Sequence, residues 1–288
     1  MKTLLVPVLG SEGDRVALES ALLVAEKFRS HLDCLHVRFS PRDLMLQTAT
    51  VGAGMPVISP QLWTTLEDEE KERSKRATDV FETFRAAKTV KASDVPEAAE
   101  TISATLREIE GNTVDEIVRG GQLCELIVMA RRPEFAISPG QIGDILMRSG
   151  RPLLLGPTTV PATLGSTVAI AWKATAEAAR ALTAAMPLLR KAEKVIVLSA
   201  DENDRGAEMA ESADQLVRAL KWSGIESRLS RLSRSHDPQS QLLMAASDTG
   251  ADLLVMGAYS HSRARELLLG GLTSHVLQDA GVPVFLCH

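Results

Sequence analysis

The chain has 288 residues, of which 45% are hydrophobic and 24% charged, with 13 prolines; that is the balance of a folded globular protein and excludes a disordered one. This length suits two units of about 130 to 150 residues each. A net charge of −5 and a pI near 5.8, with no clustered basic track, exclude a nucleic-acid backbone as the expected partner.

The opening MKTLLVPVLGSEGD has one Lys before a short apolar run that Pro7 and acidic residues interrupt, so no signal peptide is expected. No stretch approaches the roughly 18 apolar residues of a membrane span, and a cytoplasmic location is the default expectation. Leu4 to Phe28 reads as a strand, a small-residue turn at Gly10-Ser11 and a helix. Leu32 to Val37 is a second strand, with His31 and His36 expected at its ends. Ser40 to Pro60 has no period and is expected to be an extended loop. The following helix, about Gln61 to Lys88, contains EDEEKERSKR and is expected to show a solvated face of mixed charge. ELIVMARR then supplies a strand, and ILMRSGRPLLL a helix and a Pro-led strand.

GPTTVPATLGST, from Gly156 to Thr167, lacks helical or strand periodicity and reads as a linker. Beyond it the plan repeats. Ala174-Thr175 aligns with Gly10-Ser11, Ala181-Leu182 with Ala17-Leu18, and Gly281-Val282-Pro283 with Gly150-Arg151-Pro152. Strands are predicted near Thr167–Ala171, Val195–Ser199, Glu226–Leu232, Leu253–Met256 and Val284–Cys287. Helices are predicted near Ala176–Lys191, Ala207–Ser223, Pro238–Thr249 and Gly271–Ala280. Strands alternating with helices imply an α/β fold with parallel sheets, here two tandem doubly wound, five-stranded, Rossmann-like domains. Residues 1–157 form the first, 158–166 the linker and 167–288 the second. The runs LIVM and LLVM are apolar throughout, as strands covered on both faces require.

In such sheets ligands bind beyond the carboxyl ends of the strands, where strand order reverses, and phosphates favour helix N-termini. MGAYSHSRARELLLGGLTSHVL occupies that place in the second half, with Gly257, Ser260, then nine residues and Gly270-Gly271. This loop resembles that of the universal stress protein family, whose ATP-binding members have Gly-x2-Gly-x9-Gly-Ser/Thr there. The resemblance implies a stress-response factor that binds an adenine nucleotide and does not turn it over. In such members the loop amides and the Ser/Thr hydroxyl hold the phosphates, and an Asp after the first strand contacts the nucleoside.

Gly257 and Gly270 match the motif, Ser260 replaces its second Gly, and Gly271 replaces its Ser/Thr. A lost hydroxyl removes one hydrogen bond, about 0.5–1.5 kcal/mol. Lys173 stands at the Asp position; it accepts no hydrogen bond from a ribose but reaches a phosphate as a point charge. Arg263 and Arg265 add positive charge on the loop. The resemblance therefore assigns ATP, with Mg²⁺ accompanying it, to the second half. The alternative role for Gly257, Gly270 and Gly271 is close packing and tight turns alone. In the first half Leu9 holds the Asp position, Arg131-Arg132 follow Met129, and Pro139, which has no amide hydrogen, aligns with Gly270. That copy is expected to be a scaffold.

Cys34, Cys124 and Cys287 are expected as apolar fillers at strand positions, and no zinc or disulfide framework is indicated. His261 and His275 complete no nucleophile motif, Asp201, Glu202 and Asp204 read as a solvated turn, and Trp172 either packs or stacks on a base. In single-domain relatives two subunits associate through their last strands. Leu153–Leu155 and Val284–Leu286 are therefore expected to join the halves as an intramolecular pseudo-dimer, with an unidentified protein partner and a further homodimer left open. The alternatives to a nucleotide-responsive module are a ligand-free interaction protein and, more distantly, an enzyme of the adenine-nucleotide hydrolase type that shares the fold, with weak ATPase activity left open.

Overall fold

The computed structural model describes residues 1–38, 60–95, 101–131, 137–200, 206–233, 237–258, 276 and 280–288. The first half runs β1 (Thr3–Pro7), α1 (Gly13–Phe28), β2 (His31–Arg38), α2 (Pro60–Ala87), β3 (Lys91–Ala92), β4 (Ser103–Glu110), α3 (Thr113–Gln122), β5 (Leu126–Ala130), α4 (Pro139–Ser149) and β6 (Leu153–Gly156). The second runs β7 (Thr167–Ala171), α5 (Ala176–Leu189), β8 (Lys194–Ala200), α6 (Gly206–Trp222), β9 (Ser227–Leu232), α7 (Pro238–Asp248), β10 (Leu253–Gly257) and β11 (Val284–Cys287). The loop expected from Ser40 lies outside the described residues as far as Pro60, which opens α2. The helix expected at Gly271–Ala280 also lies outside them, apart from Val276 and Ala280.

All eleven strands join one sheet, in the order β3-β4-β2-β1-β5-β6-β11-β10-β7-β8-β9. Each half contributes the same parallel arrangement, β4-β2-β1-β5-β6 and β9-β8-β7-β10-β11, and the two-residue β3 is an addition to the first. The halves meet at β6 and β11, which pair antiparallel with Leu155 opposite Val284, Leu154 opposite Phe285 and Leu153 opposite Leu286. This is the exchange expected from the sequence. It closes two apolar edge strands against each other, so neither is left as a template for aggregation. Phe285 is fully buried there, a burial that stabilises by about 1.5–3 kcal/mol.

Alternation along the strands sends side chains to two cores, and both run across the seam. On one face Leu4, Val6, Leu154, Phe285, Val168 and Ile170 pack beneath α1, α2, α5 and α6. On the other, Leu5, Ile127, Leu153, Leu286, Leu254 and Ile196 pack beneath α3, α4 and α7. Helix ends are set by local chemistry. Asn112 caps α3 by accepting from the amides of Val114 and Asp115, and Thr175 caps α5 through Ala178. Ser138 and Gln141 form a reciprocal capping box on α4, with Pro139 in the first turn.

One acid in each half pins the first strand. The Glu125 carboxylate accepts from the amides of Lys2 and Thr3, and Asp252 accepts from Ser166 and Thr167. Residues 157–166 form neither helix nor strand, yet Leu164 is 1% exposed and belongs to the first core. The chain then turns into β7 through Gly165, whose φ of +73° suits glycine.

Candidate functional site

Strand order reverses between β1 and β5 in the first half and between β7 and β10 in the second, which makes two switch points. The first is closed by the chain itself. Asp14, in the first turn of α1, is 3% exposed, and its carboxylate accepts from the amides of Leu9 and Ser11 and from the Ser11 hydroxyl. Burial raises its pKa, and the surrounding donors oppose that rise. An internal carboxylate thus takes the amides that an anionic ligand would use.

Helix α2 reaches the same strand ends. Its Arg73 donates to the Val37 carbonyl at 2.9 Å and pairs with Glu70 at 2.8 Å. Arg76 donates to the Gly10 carbonyl at 3.1 Å. A Cβ at Gly10 would lie 2.5 Å from both Arg73 Cγ and the Arg73 carbonyl, so glycine is required there for space as well as for its φ of +69°. His36 is buried within β2 and not at its end, which corrects the sequence expectation. Its Nδ1 bonds to the Val8 carbonyl at 2.7 Å and its Nε2 faces the Ser74 hydroxyl at 3.1 Å. His31 does begin the strand and meets the Ser103 hydroxyl.

The residues that set the first loop apart have structural employment. Pro139 sits at the start of α4, where a missing N–H has no helical partner to lose. Sheet register makes Ala130, rather than Arg131, the counterpart of Gly257: Ala130 pairs with Gly156 as Gly257 pairs with Cys287. Arg131 instead crosses the seam. It is 7% exposed, its amide donates to Gly156, and its guanidinium donates to the Ala280 carbonyl of the other half.

The second switch point is built differently. Ala178 stands where Asp14 stands in the first half, so the equivalent residue carries no carboxylate. Lys173 is exposed just beyond β7, and Thr175 opens α5 beside it. Gly257, at the end of β10, lies against the first turn of α5; a Cβ there would meet the Ala178 nitrogen at 2.5 Å and the Glu177 carbonyl carbon at 2.7 Å. Trp172 is half-buried against the first core and donates from Nε1 to the Ser212 hydroxyl at 3.1 Å, which assigns it to packing. Of the predicted site residues, the structure brings Lys173 and Gly257 to the same end of neighbouring strands. Ser260, Arg263, Gly270 and Gly271 lie outside the described residues, as do Arg265, His261, His275, Asp201, Glu202 and Asp204.

The model of the universal stress protein family matches residues 160–288. That match spans the second half of the chain. A universal stress protein from Archaeoglobus fulgidus superposes with a TM-score of 0.67 at 18% identity, over 99% of this chain and 95% of that one. A Pseudomonas aeruginosa structure classed with universal stress proteins does so with a TM-score of 0.58 at 17% identity, over 100% and 93%. At these identities the likeness is one of fold, and it extends the universal stress protein architecture over both halves. No curated protein matches the chain.

Sequence reasoning missed Asp14 and Arg131. Ser11 followed three residues later by Asp14 is a helix-start pattern and was a usable signal. Arg131 offered none, because its acceptor lies 149 residues away. All three cysteines are buried, although Cys124 precedes β5 and is not in a strand; burial pushes its thiol up to about 12. Among the described residues no group of three or more His, Cys, Asp or Glu side chains is placed to hold a metal, and no helix is long and apolar enough to cross a membrane.

Proposed function

We propose that this chain is a nucleotide-responsive binding protein in which ATP or another adenine nucleotide, with Mg²⁺ where it accompanies ATP, settles at the second switch point and biases a surface read by a protein partner. The observation that carries this reading is the difference between the two switch points. Asp14, Arg73 and Arg76 occupy the first, whereas Ala178 brings no carboxylate to the second and Lys173 places a cation at its rim. The residues present fit a phosphate group better than a ribose: Lys173 offers donors only. When bound, the nucleotide would supply charge and bulk at the strand ends. The chain would supply the Lys173 ammonium, the α5 N-terminus and the loop from Gly257 to Gly271. Action by binding and not turnover, in the cytoplasm, belongs to the same proposal.

A second reading, a nucleotide-independent interaction module, draws on Gly257, whose lack of a side chain is already required by α5. Titration calorimetry with Mg-ATP separates the two. The nucleotide reading expects one site per chain, weakened about tenfold by Lys173→Glu through the reversed charge and lost in Gly270→Pro, which deletes a loop N–H. Two sites per chain, or equal affinity in these variants, would contradict it. No heat, together with no copurified nucleotide by mass spectrometry, selects the interaction module.

A further inference from the structure

Beside the seam a cavity of about 520 Å³ opens between the halves, and its lining includes none of Lys173, Thr175 or Gly257. Glu125 and Arg151 come to it from the first half, and Arg180, Thr183, Pro187 and Cys287 from the second. The Glu125 carboxylate is engaged by the amides at the start of β1. Each arginine, by contrast, spends little of its capacity. Arg151 donates to the Gln122 carbonyl at 3.0 Å and Arg180 to the Glu177 carboxylate at 3.1 Å, each from one nitrogen among the described residues. A guanidinium carries five N–H donors in a planar fork suited to carboxylate and phosphate.

The duplication supplies an internal control. In the alignment of the halves, Arg180 corresponds to Val16, Thr183 to Glu19 and Arg151 to Val282. Val16 is buried and Val282 packs against the second core. Leu164 is buried among core residues from both halves, and a Cβ at Gly165 would lie 3.8 Å from Leu188 and Leu253 and 3.9 Å from Lys27, so linker chain fills space between the halves there. The equivalent location therefore has neither of the two cations. Duplication of the fold alone does not produce a cavity with an arginine from each half. Its volume falls within the roughly 300–1,000 Å³ of small-molecule sites, with apolar walls and few polar groups.

We propose that this cavity binds a small organic anion, a carboxylate or phosphate monoester on an apolar body, whose acid group is shared by Arg151 and Arg180 while the body lies along Thr183 and Pro187. A ligand held this way would touch both halves at once and bind only while they are joined.

Calorimetry on the full chain with phenyl phosphate and with benzoate tests the site, and benzyl alcohol serves as the neutral analogue. One anion per chain is expected, with the stronger of the two probes identifying the head group and benzyl alcohol silent. Arg151→Met and Arg180→Met should each weaken binding at least about tenfold. Thr183→Trp, which fills the cavity without altering charge, should abolish it while circular dichroism remains that of wild type. Saturating Mg-ATP should leave the affinity for the probe unchanged, so failure of the nucleotide reading does not touch this one. Absence of binding by both anions, equal binding of benzyl alcohol, or undiminished binding in the double Arg151→Met/Arg180→Met variant overturns the proposal.

Discussion

Gly257 shows how one position serves packing and a prospective site together. Because a Cβ there meets backbone atoms of α5 and not a flexible side chain, Gly257→Ala must push the helix start away. Overpacking of this kind costs about 1–3 kcal/mol, and the urea midpoint of Gly257→Ala should fall accordingly. An unchanged midpoint would mean that α5 yields freely. His31 makes a pH prediction. Burial lowers its pKa from the usual 6.5, with Asp33 opposing. The folded state therefore prefers the neutral ring, and the associated stability is complete above that usual value and is lost as pH falls through the lowered one. Relative to His31→Gln, which does not titrate, the wild-type protein should lose stability below about pH 6.5. Parallel denaturation midpoints for the two proteins across that window would refute the assignment.

The helices differ in what holds them. Helix α4 begins with a complete capping box and a proline, so Ser138→Ala should cost about 0.5–2 kcal/mol in denaturant unfolding, while substitution of the exposed Asp144 should cost little. Helix α2 carries three i,i+3 ion pairs along its length, Asp68 with Lys71, Glu70 with Arg73 and Glu82 with Arg85. The pairs exposed to water add little, but Arg73 is largely covered, and with Arg76 it ties the helix to the ends of β1 and β2. The mixed charge that reads as a solvated face thus includes residues that bond to strand ends. A periodicity argument assigns charge to the outside and has no means of separating the few charges that reach a strand end.

Two cores that cross a common seam make the halves a single cooperative body. Leu154 and Phe285 belong to one core and Leu153, Leu155, Val284 and Leu286 to the other, so neither half can open its last strand without exposing both. A single thermal transition is expected. Variants keeping only Trp63, in α2, or only Trp172, after β7, should report the same midpoint by fluorescence. Separate midpoints would show that the halves unfold independently despite the shared strands. Arg131 adds a hydrogen bond that crosses the seam.

The repeat, the strands of the second half and the pairing of Leu153–Leu155 with Val284–Leu286 were legible in the amino-acid order. They depend on uninterrupted apolar runs, turn residues at fixed offsets and the internal copy, all of which are local or self-similar. The contacts were not. That Asp14 consumes the amides of the first switch point, that Arg76 reaches Gly10 across 66 residues, and that Arg131 bonds to Ala280 are products of the assembled sheet. Two halves of one topology become unequal through such distant polar pairings, because a buried carboxylate or guanidinium must find its partner in space, and position along the chain does not specify which amide or carbonyl that will be.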